Sequence, residues 1–253
     1  MSVREPGSTN RDLWIFDVAR GVRSRFTVDP ATETHNVWSP DGARIAFDSR
    51  RRGHRDLYLK ASSGAEEEEV LLEDEFDKAP TTWSPDGRFL LYFRMAQARS
   101  IWVLPLHGER RPFPLRTTPF NEIPSGFSPD GRWLASFSTE SGRWEVYVSP
   151  FPGPGARTQI STAGGYDARW SRDGSEIFYM SPDNKLMVAT VFTRGDTFEV
   201  GDVKALFELP KVGGRFTYDV SPDGQRILAV TRKVENAVVP LSLVTNWKAL
   251  LEQ

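Results

Sequence analysis

Apolar and polar residues alternate with a period of two over short stretches spread along the chain. The segments are DLWIFDV (12–18), DLYLKA (56–61), SIWVLPL (100–106), EVYVSPF (145–151), KLMVATV (185–191) and PLSLVTNW (240–247). Alternation over so few residues puts one face of a β-strand inward and the other outward, and helical spacing fits none of the six. The pattern predicts an all-β protein.

Between these strands a turn motif recurs. WSPDG occurs at 38–42 and 83–87, FSPDG at 127–131, WSRDG at 170–174 and VSPDG at 220–224. A period of roughly 40 to 50 residues is the mark of a repeat architecture. Ser opens the turn, Pro pre-sets φ at the next position, and Gly at the fourth takes positive φ without steric cost. In the fourth copy Arg172 replaces Pro, which this turn favours without requiring. One repeat then reads as a strand near His35 to Trp38, the turn, a strand at 44–48, a charged hairpin at 50–55, a strand at 57–61 and an outer strand at 70–73. Four strands in about 44 residues make one β-propeller blade.

The W-S-P-D-G repeats resemble those of TolB-type, WD-like β-propellers over nearly the whole of residues 12–247. VYVSPFPGPG (146–155), ISTAGG (160–165), YDVSPDGQRIL (218–228) and LVTNWKALL (243–251) further resemble the propeller C-terminal to the catalytic domain in bacterial eukaryotic-type serine/threonine kinases. The resemblance implies a six-bladed propeller of four-stranded antiparallel blades, a protein partner or small-molecule ligand, and a periplasmic or extracytoplasmic place of work.

The lead residue of each turn precedes the apolar start of the third strand by 16 to 21 residues, as from Trp38 to Leu57. For Leu13 that partner would fall before Met1. The first blade is therefore expected to be incomplete, the chain being a piece of a longer protein; the alternative is a closed five-bladed ring. Expected boundaries are a flexible segment at 1–11, one propeller domain at 12–247 with a partial blade at 12–30 and blades starting near 33, 77, 121, 164 and 214, and a tail at 248–253.

Composition narrows the function. Lys+Arg number 32 and Asp+Glu 34, so no global field favours nucleic acid. Cys is absent, which removes disulfides, thiolate metal sites and cysteine nucleophiles. No apolar run reaches the roughly 20 residues of a membrane helix, so no direct membrane insertion is expected. His35, His54 and His107 lack paired-ligand spacing, and no G-x-S-x-G elbow occurs, so neither a metal, a cofactor nor hydrolase catalysis is expected of this chain. RRRGHR (50–55) and EEEE (66–69) are expected to compensate each other on a solvated rim.

The variable positions three to six residues before each lead residue are the candidate ligand contacts, because they enter the inner strands of a rigid scaffold. They are Glu33 and His35, Asp77 and Lys78, Asn121 and Glu122, Tyr166 and Asp167, and Arg215 and Thr217. His35, Lys78, Glu122, Tyr166, Asp167 and Arg215 are the principal candidates. A propeller enzyme of the lyase or glycosidase kind would use Glu122 and Asp167 as paired acids. Asp41, Gly42, Asp86, Gly87, Asp130, Gly131, Asp173, Gly174, Asp223 and Gly224 are assigned to structural turns.

Overall fold

Bulky β-formers separated by turn residues give strands throughout. The computed structural model describes residues 1–4, 7, 9–153, 155–209, 218–221, 226–230 and 241–245, the last segment and Val230 by backbone alone. Their strands form six antiparallel sheets, the sheet count of a six-bladed β-propeller rather than a five-bladed ring. Among the described residues no helix is long and apolar enough to cross a membrane.

The first sheet contains β1 (Ser2–Val3), β2 (Asp12–Asp17) and β3 (Val22–Arg25). The second orders β4 (Glu33–Trp38), β5 (Arg44–Arg52), β6 (His54–Ala61) and β7 (Glu69–Leu72); the third, β8 (Asp77–Trp83), β9 (Phe89–Met95), β10 (Arg99–Pro105) and β11 (Phe113–Pro114). The fourth holds β12 (Glu122–Phe127), β13 (Trp133–Ser138), β14 (Glu145–Pro150) and β15 (Thr158–Gln159). In the fifth lie β16 (Tyr166–Trp170), β17 (Glu176–Met180), β18 (Lys185–Arg194) and β19 (Thr197–Glu208). The sixth comprises β20 (Tyr218–Val220), β21 (Arg226–Val230) and β22 (Leu241–Thr245).

Two expectations change. The segment 1–11 contains a strand, because Ser2 and Val3 pair with Leu13 and Asp12 where a blade's second strand belongs. The charged hairpin at 50–55 is an extension of β5 and β6, turning tightly at Gly53 with φ +100°. Its partners are also broader than EEEE. Arg50 pairs with Asp77 at 2.6 Å and Arg52 with Glu73, while Arg51 alone reaches that acidic run, through Glu68 at 2.5 Å.

The chain divides into two compact units, Met1–Pro124 and Ser125–Gln253. In the first, Ala46, Leu57, Leu59, Trp83, Leu90, Tyr92 and Leu104 interleave between the second and third sheets, and Leu13, Phe26, Ile45, Phe47 and Tyr58 form a second cluster. Trp83 is buried in the first of these, whereas Trp38 stays 45% exposed. In the second unit Trp133, Val146, Val148, Ile177, Tyr179 and Val191 pack together, and Phe178, Leu186, Leu209, Tyr218 and Ile227 form another core. Burying each such side chain is worth about 1.5–3 kcal/mol.

Candidate functional site

The turn motif is held the same way in every described copy. Ser39, Ser84, Ser128 and Ser171 donate to the carboxylates of Asp41, Asp86, Asp130 and Asp173 at 2.5–2.7 Å. Each carboxylate then accepts the amide two residues on, from Ala43, Arg88, Arg132 or Ser175. The serine oxygen accepts the amide five residues on, at 2.9 Å, and does so from Arg226 to Ser221 as well. Gly42, Gly87, Gly131 and Gly174 take φ of +70° to +74°. Hydrogen bonds from Ser39 and the Ala43 amide hold Asp41 below the usual carboxylate range, as those from Ser171 and Ser175 do for Asp173. Asp223 and Gly224 lie outside the described residues.

Sequence reasoning missed a further turn of this kind at 181–185. Ser181 donates to Asp183 at 2.5 Å and accepts the Lys185 amide at 3.0 Å, and Asn184 stands in the glycine position with φ +65°. It joins β17 to β18. The SPD triplet was a signal, hidden by Asn in place of Gly.

Also missed were acids at the start of the third strand. Asp12 accepts from Arg25 at 2.8 Å and Asp56 pairs with Lys78 at 3.0 Å. Glu145 accepts the Gly164 amide at 2.9 Å and the Ser161 hydroxyl. Each therefore ties a later loop or strand to its own blade, and aligning the strand starts would have shown them.

Among the described candidates, Lys78, Glu122 and Asp167 have partners of their own. Lys78 is wholly buried between Asp56 and Asp74, 2.8 Å from the latter, and donates to the Phe76 carbonyl at 2.6 Å. Glu122 is buried with the Arg116 guanidinium 3.8 Å away. Asp167 is buried at φ +54°, and its carbonyl accepts the Tyr218 hydroxyl at 2.7 Å. Tyr166 is half-buried, its phenol pushed up by burial and then by the Asp167 charge. In this conformation Lys78, Glu122 and Asp167 present no side-chain surface to a ligand. Arg215 and Thr217 lie outside the described residues. Asn121 accepts the Arg99 amide at 3.0 Å, and Asp77 the Arg55 amide at 2.9 Å.

His35 is different. It sits at a register slip in β4, between Thr34 and Val37, with φ +42°. A non-glycine residue held there costs about 1–3 kcal/mol and marks an over-determined site. Its Nδ1 lies 2.7 Å from Asp48, and Asp48 also accepts from Thr34 at 2.9 Å and from Arg55 Nη1 at 2.8 Å. Asp48 is fully buried.

The place of Asp48 in its sheet gives this weight. It pairs with Leu57, the first apolar residue of the third strand, and Phe93, Phe137, Met180 and Val230 pair with the corresponding Ile101, Val146, Leu186 and Leu241. Four sheets keep that place apolar and the first sets Ser2 against Leu13; this one buries a carboxylate and satisfies it with three donors. Phe93 meets His35 edge-on at 6.0 Å between ring centres. The arrangement fixes an imidazole and a guanidinium side by side, with the Phe93 ring against the imidazole.

A second polar cluster lies one residue pair along in the same sheet, where Glu33 faces Ser49 beside Thr34 and Asp48. Glu33 accepts from Ser49 at 3.0 Å and Arg51 at 3.3 Å, yet burial pushes its carboxyl up to about 7. Arg51 also approaches Asp29 at 3.5 Å and stacks over Tyr58 at 4.3 Å.

Residues 1–125 match the family described as the TolB beta propeller domain. TolB from Acinetobacter baumannii superposes with a TM-score of 0.77 and 20% identity, over 97% of this chain and 60% of that one. The fold is a TolB-type β-propeller. A putative TolB from Agrobacterium tumefaciens is similarly close, with a TM-score of 0.72 and 19% identity over 95% of this chain and 87% of that one. The propeller fold also covers an oligogalacturonate lyase solved with manganese, with a TM-score of 0.63 and 13% identity over 95% of this chain and 69% of that one. An uncharacterised peptidase of Bacillus subtilis, YuxL, is 32% identical over 89 residues. The present propeller spans 13% of the length of that peptidase and 60% of the Acinetobacter TolB, and the aligned stretch is 35% of its own length.

Proposed function

We propose that this propeller is a non-catalytic binding module whose recognition site, in the unit Met1–Pro124, centres on His35 and Arg55. The observation that carries the reading is the buried Asp48, which stands where four other sheets hold Phe, Met or Val and orients both side chains. A TolB-type fold favours a protein partner, since binding surfaces on such scaffolds vary while the turns do not. The finer resemblance of residues 146–155 to kinase-linked propellers extends the proposal: the module senses on behalf of a larger protein. A lyase or glycosidase reading through Glu122 and Asp167 gains less support, because both side chains are buried.

The test is retention of partners and small ligands by the immobilised chain, compared with Arg55→Lys and with Arg132→Ala in the other unit. Loss of at least tenfold in Arg55→Lys alone is expected. Equal retention by all three, or substrate turnover by the purified chain, refutes the module.

A further inference from the structure

We infer that His35 and Arg55 together take a carboxylate; this rests on the binding reading above and names its ligand chemistry. Asp48 engages one nitrogen of each side chain, His35 Nδ1 at 2.7 Å and Arg55 Nη1 at 2.8 Å. What remains is His35 Nε2 and the Nε and Nη2 edge of Arg55, none of which has a hydrogen-bond partner among the described residues. The two side chains are 29% and 21% exposed, enough to be reached and little enough to be held in place.

The donor count selects the ligand. A guanidinium edge offers two parallel N–H groups that match a planar carboxylate bidentately, and the imidazole adds a third donor when protonated. Two oxygens meet three donors. A phosphate brings more acceptor oxygens than these three donors can meet and is matched less completely. Local charge permits an anion, because Asp48 is matched by Arg55 and the neighbouring acid, Asp77, is matched by Arg50 at 2.6 Å. General-base catalysis is a poorer use of the same atoms: Thr34 directs its proton to Asp48, and Asp48 is already matched by Arg55.

The carboxylate belongs either to a small acid or to an Asp or Glu side chain of a protein. The whole chain has only three histidines, so imidazole C–H resonances report the site directly once His54→Gln and His107→Gln assign them. Titration with succinate, with an acetylated tri-glutamate peptide and with inorganic phosphate separates the sources. A saturable shift of His35 is expected with one or both carboxylates at millimolar concentration or below, at least tenfold weaker in Arg55→Lys and absent from His54 and His107. Preference for succinate assigns a small acid, and preference for the peptide a protein.

Arg55→Lys keeps a cation for Asp48; the double variant Asp48→Leu/Arg55→Leu restores the apolar pairing of the other sheets and should fold without binding. No shift at His35, an equal shift in Arg55→Lys, or phosphate binding as tightly as succinate overturns the carboxylate. If the shift is missing while Arg55→Lys still loses its retained partner, the carboxylate fails and the module stands. If Arg55→Lys changes neither, both fall.

Discussion

Ser128 shows how much one hydroxyl does in this fold. It donates to Asp130 and accepts the Trp133 amide at the head of a strand, and it is itself buried. Ser128→Ala should lower the unfolding free energy by about 1–2 kcal/mol, read from urea denaturation, because both bonds go and an amide is left wanting. Glu33 carries a pH dependence of opposite sense to most acids. Its folded carboxyl titrates at about 7, above the ordinary value of 4.5, so the fold favours the protonated form. That contribution is complete below the ordinary value and fades as pH rises through 7. Stability should fall between those limits by up to about 3 kcal/mol on this group's account. Glu33→Gln should flatten the fall; an unchanged pH profile in that variant removes Glu33 as its source.

At the scale of elements, ion pairs and hairpins bind one strand to another. Lys78 joins Asp56 in β6 to Asp74 in the segment before β8, all within the first unit. Lys78→Met leaves the buried Asp56 uncompensated and should cost about 3–5 kcal/mol by thermal or chemical melting. In the second unit β18 and β19 run longer than the other outer pairs, and Phe198 folds back on Trp133 and Trp170 with ring centres 5.1 and 6.1 Å apart. Phe198→Ala should destabilise by about 2 kcal/mol and expose the two tryptophans, visible as a red shift in fluorescence.

These elements were legible to different degrees. Five turns and six third strands stood out because their residues repeat in kind and spacing. Strand β1 did not, since two residues are too few to show a period, and the extension of β5 through Arg52 was masked by a charge run that reads as a loop. The Asp48 site was the hardest: alternation in RIAFDS is satisfied whichever face the aspartate occupies. Only the register, which sets it against Leu57 where other copies hold Phe or Met, shows it to be out of place. Polarity at variable positions singles out Lys78, Glu122 and Asp167, whereas burial, which the sequence pattern does not show, sets their surroundings.

For the whole molecule, opposite charges nearly cancel, at 32 basic against 34 acidic residues. The chain should pass unretained through heparin at about 0.15 M salt, where screening removes all but contiguous patches; retention there would reveal a polyanion surface. The inner strands carry a last consequence. Three residues before each lead, His35 and Asp167 hold positive φ, whereas the same place is occupied by Pro80 and Pro124, whose rings fix φ near about −65°. As tandem copies emerge from the ribosome, each new strand meets several edges of nearly the same sequence, and exchange between copies is the hazard of such chains. A strand stiffened by proline cannot follow the path that His35 or Asp167 takes. Backbone shape thus distinguishes inner strands whose turn sequences nearly coincide.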